Sequence, residues 1–117
     1  MEARAIAKDI RMSPRKVRLV VDQIRGTTVN EAYALLAFSK KAAAVPVQKT
    51  LKSAVANAQD KADRDGDSVD VDDLVVSQAY VDEGPTLRRW KAAAMGRAMP
   101  RRRRTSHITL VVEAKEN

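Results

Sequence analysis

Between Gly84 and Val112 the chain carries eight of its 22 Lys and Arg residues and no Asp or Glu. Setting those eight aside leaves 14 basic residues against 15 acidic ones, so the formal net charge of +7 comes from this one stretch. Charge concentrated on a single element points to a polyanionic partner. A solvated face or a basic tail is the ordinary explanation of a charge run, but a tail simply ends. This run is interleaved with Leu87, Trp90, Met95 and Met99 and leads into the strand-like sequence Thr105–Val112, so folded protein is expected on both sides of it.

Leu74–Val81 and Thr105–Val112 are rich in Val, Ile, Leu and Tyr and read as two strands. The residues between them have no helix caps, no regular apolar alternation and little apolar content to cover. Extended into that insert as a hairpin, about 13 residues per side at ~3.3 Å each give an arm of roughly 40 Å, about twice a typical strand. Such an arm cannot pack on its own small domain. Ordering it costs roughly 1–2 kcal/mol per residue, so a partner has to supply the order, and an Arg-rich arm suits the gaps between phosphates, where guanidinium groups fork and stack. RNA tertiary structure offers such crevices.

The rest of the chain reads as a compact body. Glu2–Ile10 alternates weakly, with Ala5, Ala7 and Asp9 on one side and Ile6, Lys8 and Ile10 on the other, as in a short strand with one solvated face. Ser13 and Pro14 form an N-cap and first-turn pair, and Val17, Val20, Val21 and Ile24 make the apolar stripe of a first helix that Gly26 ends. Thr28 with Glu31 is a capping box for a short second helix through Ala32, Leu35, Leu36 and Phe38. A third helix is expected from about Lys40 to Asp63, its core face formed by Val47, Leu51, Ala54, Val55 and Ala58. Pro46 removes a helical hydrogen bond, which predicts a kink or a late start there.

These elements define an α+β class: three helices packed on a small antiparallel three-stranded sheet, with a long protruding β-hairpin. The expected organisation is one domain over residues 1–117, with residues 82–105 as the hairpin arm.

Several chemistries are excluded or weakened by composition. Cysteine is absent, which rules out a disulfide framework, thiolate metal sites and a cysteine nucleophile. His107 is the only histidine. The acidic stretch from Asp60 to Asp73 invites a Ca²⁺ loop, but counting from Asp63 puts Ser68 and Leu74 where a Gly and a bidentate Glu are needed, and counting from Asp65 puts Asp70 and Val76 there. A solvated connection is expected instead, with no metal and no cofactor. No apolar run approaches the roughly 20 residues of a membrane span, and Met1 is followed by Glu2 rather than a basic, apolar leader, which favours a bacterial over an organellar source.

A second basic patch surrounds the start of the first helix: Arg11, Arg15, Lys16 and Arg18, with Arg4 and Lys8 on the preceding strand. The free N–H groups and positive dipole of a helix start favour phosphate, and these cations add to that. Known RNA modules do not account for the chain: there is no KH-type GXXG loop, no zinc-finger spacing, and Phe38, the only Phe, falls on a helix rather than a sheet. Trp90, within RRWK, reads equally as a stacking residue or a small apolar anchor of the hairpin.

Four ordered segments then carry a resemblance. RMSPRKVRLVVDQIRG at Arg11–Gly26, LKSAVANA at Leu51–Ala58, AYVDEGPTLRR at Ala79–Arg89, and GRA followed by RRTSHITLVV over Gly96–Val112 are similar to the large-subunit ribosomal protein L twenty-two family, of bacterial type, across nearly the whole chain. The resemblance implies a cytoplasmic structural constituent of the large ribosomal subunit, not an enzyme, whose hairpin threads ribosomal RNA and lines the nascent-peptide exit tunnel near ribosomal protein L four. Implied partners are large-subunit rRNA, other large-subunit proteins and the nascent peptide, with no membrane and no homo-oligomer.

On the same resemblance, Arg11, Arg15, Lys16, Arg18, Arg88, Arg89, Trp90, Lys91, Arg101, Arg102, Arg103, Arg104, Ser106 and His107 bind rRNA, and Ala93, Ala94, Met95, Gly96 and Arg97 form the tunnel tip. His107 reads as structural or RNA-contacting, since no nucleophile or carboxylate pair accompanies it. The chain departs from the family at Ala92–Met95, where members commonly carry a Pro-Arg-Ala-basic sequence, so its tip lacks two cations and a proline constraint. The alternative function is a free nucleic-acid chaperone, which would share the charge but bind many sequences with steep salt dependence.

Overall fold

The computed structural model describes residues 2–67, 69–92, 96 and 98–114. A strand, β1 (Glu2–Ile10), leads into three helices, α1 (Pro14–Ile24), α2 (Val29–Phe38) and α3 (Ala44–Arg64). A short 3-10 turn at Val71–Asp73 precedes β2 (Leu74–Glu83), and then come β3 (Leu87–Ala92), β4 (Ala98–Arg103) and β5 (Ser106–Ala114). β1, β5 and β2 form an antiparallel sheet in that order, with β5 central, while among the described residues β3 and β4 pair only with each other. The long axis of the molecule measures 66 Å against 27 and 16 Å for the other two.

The helices lie on one face of the sheet. Val17, Val20, Val21 and Ile24 of α1, Val47, Leu51, Ala54 and Ala58 of α3, and Ile108, Leu110 and Val112 of β5 are buried in one aliphatic core. Alanines on α3 and β1, Ala3 and Ala5 among them, let helix and strand approach closely. The helix signals act as their chemistry dictates. Thr28 Oγ1 accepts a hydrogen bond from the Glu31 amide, and Gly26 adopts φ +81° just past the end of α1, a left-handed conformation that costs glycine little. Ser13 stands at the N-cap of α1, yet its side chain makes no capping bond. Pro46 is resolved by a late start: α3 begins at Ala44, so the proline falls in the first turn, where an N–H has no helical partner to lose.

Both outer strands carry an irregularity in register. In β2 the register passes from Val76↔Val112 to Gln78↔Val111, leaving Ser77 over. In β1 it passes from Ala7↔Ile108 to Ile10↔Ser106. The β1 bulge corrects the simple alternation expected from sequence: Ala3, Ala5 and Ala7 face the helices, Ile6 faces outward, and beyond the bulge Ile10 turns back against the core while Asp9 is exposed at φ 57°.

The outward edges of the sheet are met by hydrogen bonds with the helices and with the α1–α2 connection. On the β2 edge, Gly26 N donates to Val76 O, Val76 N donates to Thr27 O, and the side chains of Arg25 and Arg18 donate to the carbonyls of Ala79 and Val81. On the β1 edge, Asn57 and Lys61 of α3 donate to the carbonyls of Arg4 and Glu2. The side-chain donors come in pairs that meet alternate carbonyls: Arg18 and Arg25 those of Val81 and Ala79, Asn57 and Lys61 those of Arg4 and Glu2.

Candidate nucleic-acid interface: a basic groove at the root of the arm

The arm grows from the sheet through a short neck. The last β2–β5 pair is Glu83↔Ser106 and the first arm pair is Leu87↔Arg103, so three residues on one side oppose two on the other. Gly84 N donates to Thr105 O at 2.9 Å, and Thr105 Oγ1 donates to Pro85 O at 2.6 Å. A side chain at position 84 would run into the Thr105 hydroxyl and sit 3.1 Å from the His107 ring, so only glycine fits. Beyond the neck the ribbon continues to Ala92↔Ala98. Pro100, opposite Trp90, is tolerated because both strands of a two-stranded ribbon are edges.

The same neck binds the second basic patch to the arm. Ser106, with no accessible surface, donates its hydroxyl to Met12 O at 2.6 Å, and Met12 lies in the turn that delivers the chain to α1. The Thr105–Ser106 pair therefore reaches in two directions, Thr105 to the arm and Ser106 to the helix start. His107 supports this corner by accepting the Asp9 amide on Nδ1 at 3.1 Å, which holds the β1 bulge in place.

The result is a groove of about 1220 Å³ lined by cations from three parts of the chain. Arg11, Arg15, Lys16 and Arg18 come from the helix start, Lys41 from the α2–α3 connection, and Arg103 and Arg104 from the arm. Glu83 is the one carboxylate in the lining among the described residues, 3.9 Å from Arg104 Nη1. No acidic residue occupies the first turn of α1, so the positive end of that helix adds to the field rather than being offset by it. The groove can hold an extended polyanion, with the helix start and the arm root as its two walls.

Not every residue expected to bind RNA has a side chain available for it. Arg18 lines the groove, but its Nε and Nη2 are engaged by Val81 O. Ser106 has no accessible surface, and its hydroxyl is engaged by Met12 O. His107 is half-buried and holds Asp9. Arg88 is exposed on the arm, its backbone opposite Arg102. The side chains of Arg89, Trp90, Lys91, Arg101 and Arg102, and the tip residues Ala93, Ala94, Met95 and Arg97, lie outside the described residues; Gly96 is exposed with φ +75°. Sequence reasoning missed Lys41. Its signal was a second acid-free stretch, Ala32–Gln59, which holds Lys40, Lys41, Lys49 and Lys52.

Among the described residues, no cluster of three or more His, Asp or Glu side chains could hold a metal ion, and no helix is long and apolar enough to cross a membrane. In the acidic connection, Asp70 caps the 3-10 turn by accepting the Asp72 amide, and Asn30 donates to Asp72 at 2.6 Å.

Three helices on a three-stranded antiparallel sheet, with a basic groove running into the root of a separate two-stranded arm, define a body-and-arm protein of the α+β class. Comparison with known proteins gives the family. The model of ribosomal protein L22p/L17e matches residues 5–113. Two relatives described as large ribosomal subunit protein uL22, from Bifidobacterium longum strain DJO10A and from Bifidobacterium longum subsp. infantis, are each 53% identical over 116 residues, covering 99% of this chain and 98% of theirs. The chain belongs to the ribosomal protein L22p/L17e family.

Proposed function

We propose that the chain is a structural constituent of the cytoplasmic large ribosomal subunit that binds rRNA through the groove and the arm, supports assembly of the particle, and lines the nascent-peptide exit tunnel with the end of its hairpin. The observation that carries the rRNA reading is the groove itself: seven cationic side chains against one carboxylate among the described residues, continuous with an arm whose two strands pair only with each other. Phosphates of a folded RNA meet Arg11, Arg15, Lys16 and Lys41 on one wall and Arg103 and Arg104 on the other, and the arm continues between RNA segments toward the tunnel. The neck fixes the angle between the two walls before RNA arrives. Tunnel lining, the neighbouring ribosomal protein L four and the encounter with the nascent peptide are supported by family membership, and the protein works by binding rather than by catalysis.

A tagged copy sedimented through gradients of rising salt, with RNA crosslinking of the particle fraction, tests this. Co-migration with large subunits and crosslinks from Arg88 to Arg104 confined to rRNA are expected. Release at moderate salt with crosslinks scattered over many RNAs would instead identify a free chaperone.

A further inference from the structure

Phe38, the last residue of α2, is 87% exposed. Burying an apolar side chain of this size is among the larger single gains available to a small fold, yet the body leaves the ring in water. Leu35, one turn earlier on the same helix, is 44% exposed, so the ring ends a short apolar ledge. The surroundings of that ledge give its chemistry. From Ala32 to Gln59 there is no carboxylate, and Lys40 and Lys41 follow Phe38 closely. Lys41, Ala42 and Ala43 then form part of the groove lining, so the segment carrying the ring runs straight into the phosphate-binding surface.

We propose that Phe38 is a base-stacking residue: an unpaired nucleobase of the bound RNA lies on its ring while Lys40 and Lys41 take the adjoining phosphates. An exposed aromatic face beside lysines is the combination by which proteins hold unstacked bases, the ring providing a flat apolar surface and the cations holding the backbone. An apolar protein partner would be served by the ledge but not by the lysines, and an acidic partner would be served by the lysines but not by the ring. The inference rests on the rRNA reading above and adds to it an interaction that is apolar and therefore insensitive to salt.

The test uses the full chain with a photoreactive benzoylphenylalanine in place of Phe38, incorporated into large subunits, together with the affinities of Phe38→Ala and Phe38→Trp for deproteinised large-subunit rRNA. Crosslinks to RNA are expected, with Phe38→Ala weakening binding about five- to hundredfold at an unchanged salt slope and Phe38→Trp staying within about twofold of the parent. With the ring this exposed, melting curves of both variants should match the parent. Crosslinks to protein alone, or parental affinity for Phe38→Ala, overturn the proposal. Arg15→Ser with Lys16→Ser serves as reference: if it still lowers affinity and salt slope, only the stacking role falls, and if it too changes nothing, the rRNA reading falls with it.

Discussion

Arg18 donates from Nε at 3.2 Å and from Nη2 at 2.9 Å to one acceptor, the carbonyl oxygen of Val81, 63 residues away. The most basic helix start in the protein thus commits one of its arginines to the sheet. Arg25, two turns further along, does the same to Ala79 O at 3.0 and 2.6 Å. The two forks tie α1 to β2 and aim the helix start at the arm root.

Replacing Arg18 by alanine is therefore expected to cost stability as well as charge. A charged donor on a part-buried carbonyl contributes about 1.5–3 kcal/mol, and water at the sheet edge recovers some of it, so a loss of about 1–2 kcal/mol is expected. Arg15→Ala, on the groove wall with no such bond, should stay within about 0.5 kcal/mol of the parent. Urea denaturation of the two variants side by side checks the difference. Equal stabilities would show that the Val81 bond adds nothing.

At the neck, Gly84→Ala should destabilise the protein by about 1–3 kcal/mol, as overpacking does where nothing can move. The Thr105 hydroxyl that a new methyl would strike is itself held by Pro85 O. Thr105→Ala in the Gly84→Ala background should restore part of the stability, because the clash is removed with the hydroxyl. The coupling is read from a double-mutant cycle of melting free energies, and a purely additive cycle would contradict it.

On the arm, changing Arg101, Arg102, Arg103 and Arg104 together to serine should weaken rRNA binding while leaving the body folded, because β4 pairs with β3 and not with the sheet that the helices cover. Every phosphate that the arm no longer neutralises should reduce the slope of log affinity against log salt by roughly 0.7–0.9. Filter binding over a salt series measures this. Unchanged incorporation into particles would remove the arm from the RNA interface.

Asp9 holds φ 57°, a conformation that costs a non-glycine L-residue roughly 1–2 kcal/mol in a helix and somewhat less as a single residue. Asp9→Gly should relieve it and raise stability by a few tenths to about 1 kcal/mol, while Asp9→Val should lower it. Both variants keep the amide that donates to His107 Nδ1, so thermal unfolding isolates the backbone effect.

Much of this architecture is legible in residue order, and the parts that are not share a cause. Thr28–Glu31, the α1 stripe and the paired strands flanking the insert announce themselves because each is a local pattern read over a few positions. The bulges do not, although they leave a trace: the inward residues of β2 are Leu74, Val76, Ala79 and Val81, and those of β1 are Ala3, Ala5, Ala7 and Ile10, each with one step of three among steps of two. Period-two reading runs past that step and puts Ile10 on the wrong face. Ser106 could not have been separated from a surface serine, since the acceptor of its hydroxyl, Met12 O, lies 94 residues away. The groove is likewise non-local. Arg11–Arg18 and Arg101–Arg104 look like two patches along the chain, and only the fold makes Arg103 and Arg104 one surface with the helix start and Lys41.

The closed flanks of the sheet have a consequence for the protein before it ever meets RNA. A copy that is not yet in a particle can meet other copies of itself. An open β-strand flank in that situation templates the next molecule and starts a fibre. Here the outward carbonyls of Glu2, Arg4, Ala79 and Val81 are already occupied, by Lys61, Asn57, Arg25 and Arg18. Strand addition at those carbonyls is thereby obstructed in the free protein, and variants at Asn57 or Arg25, which lie outside the basic groove, should show their defect as precipitation of free protein before any defect of the ribosome.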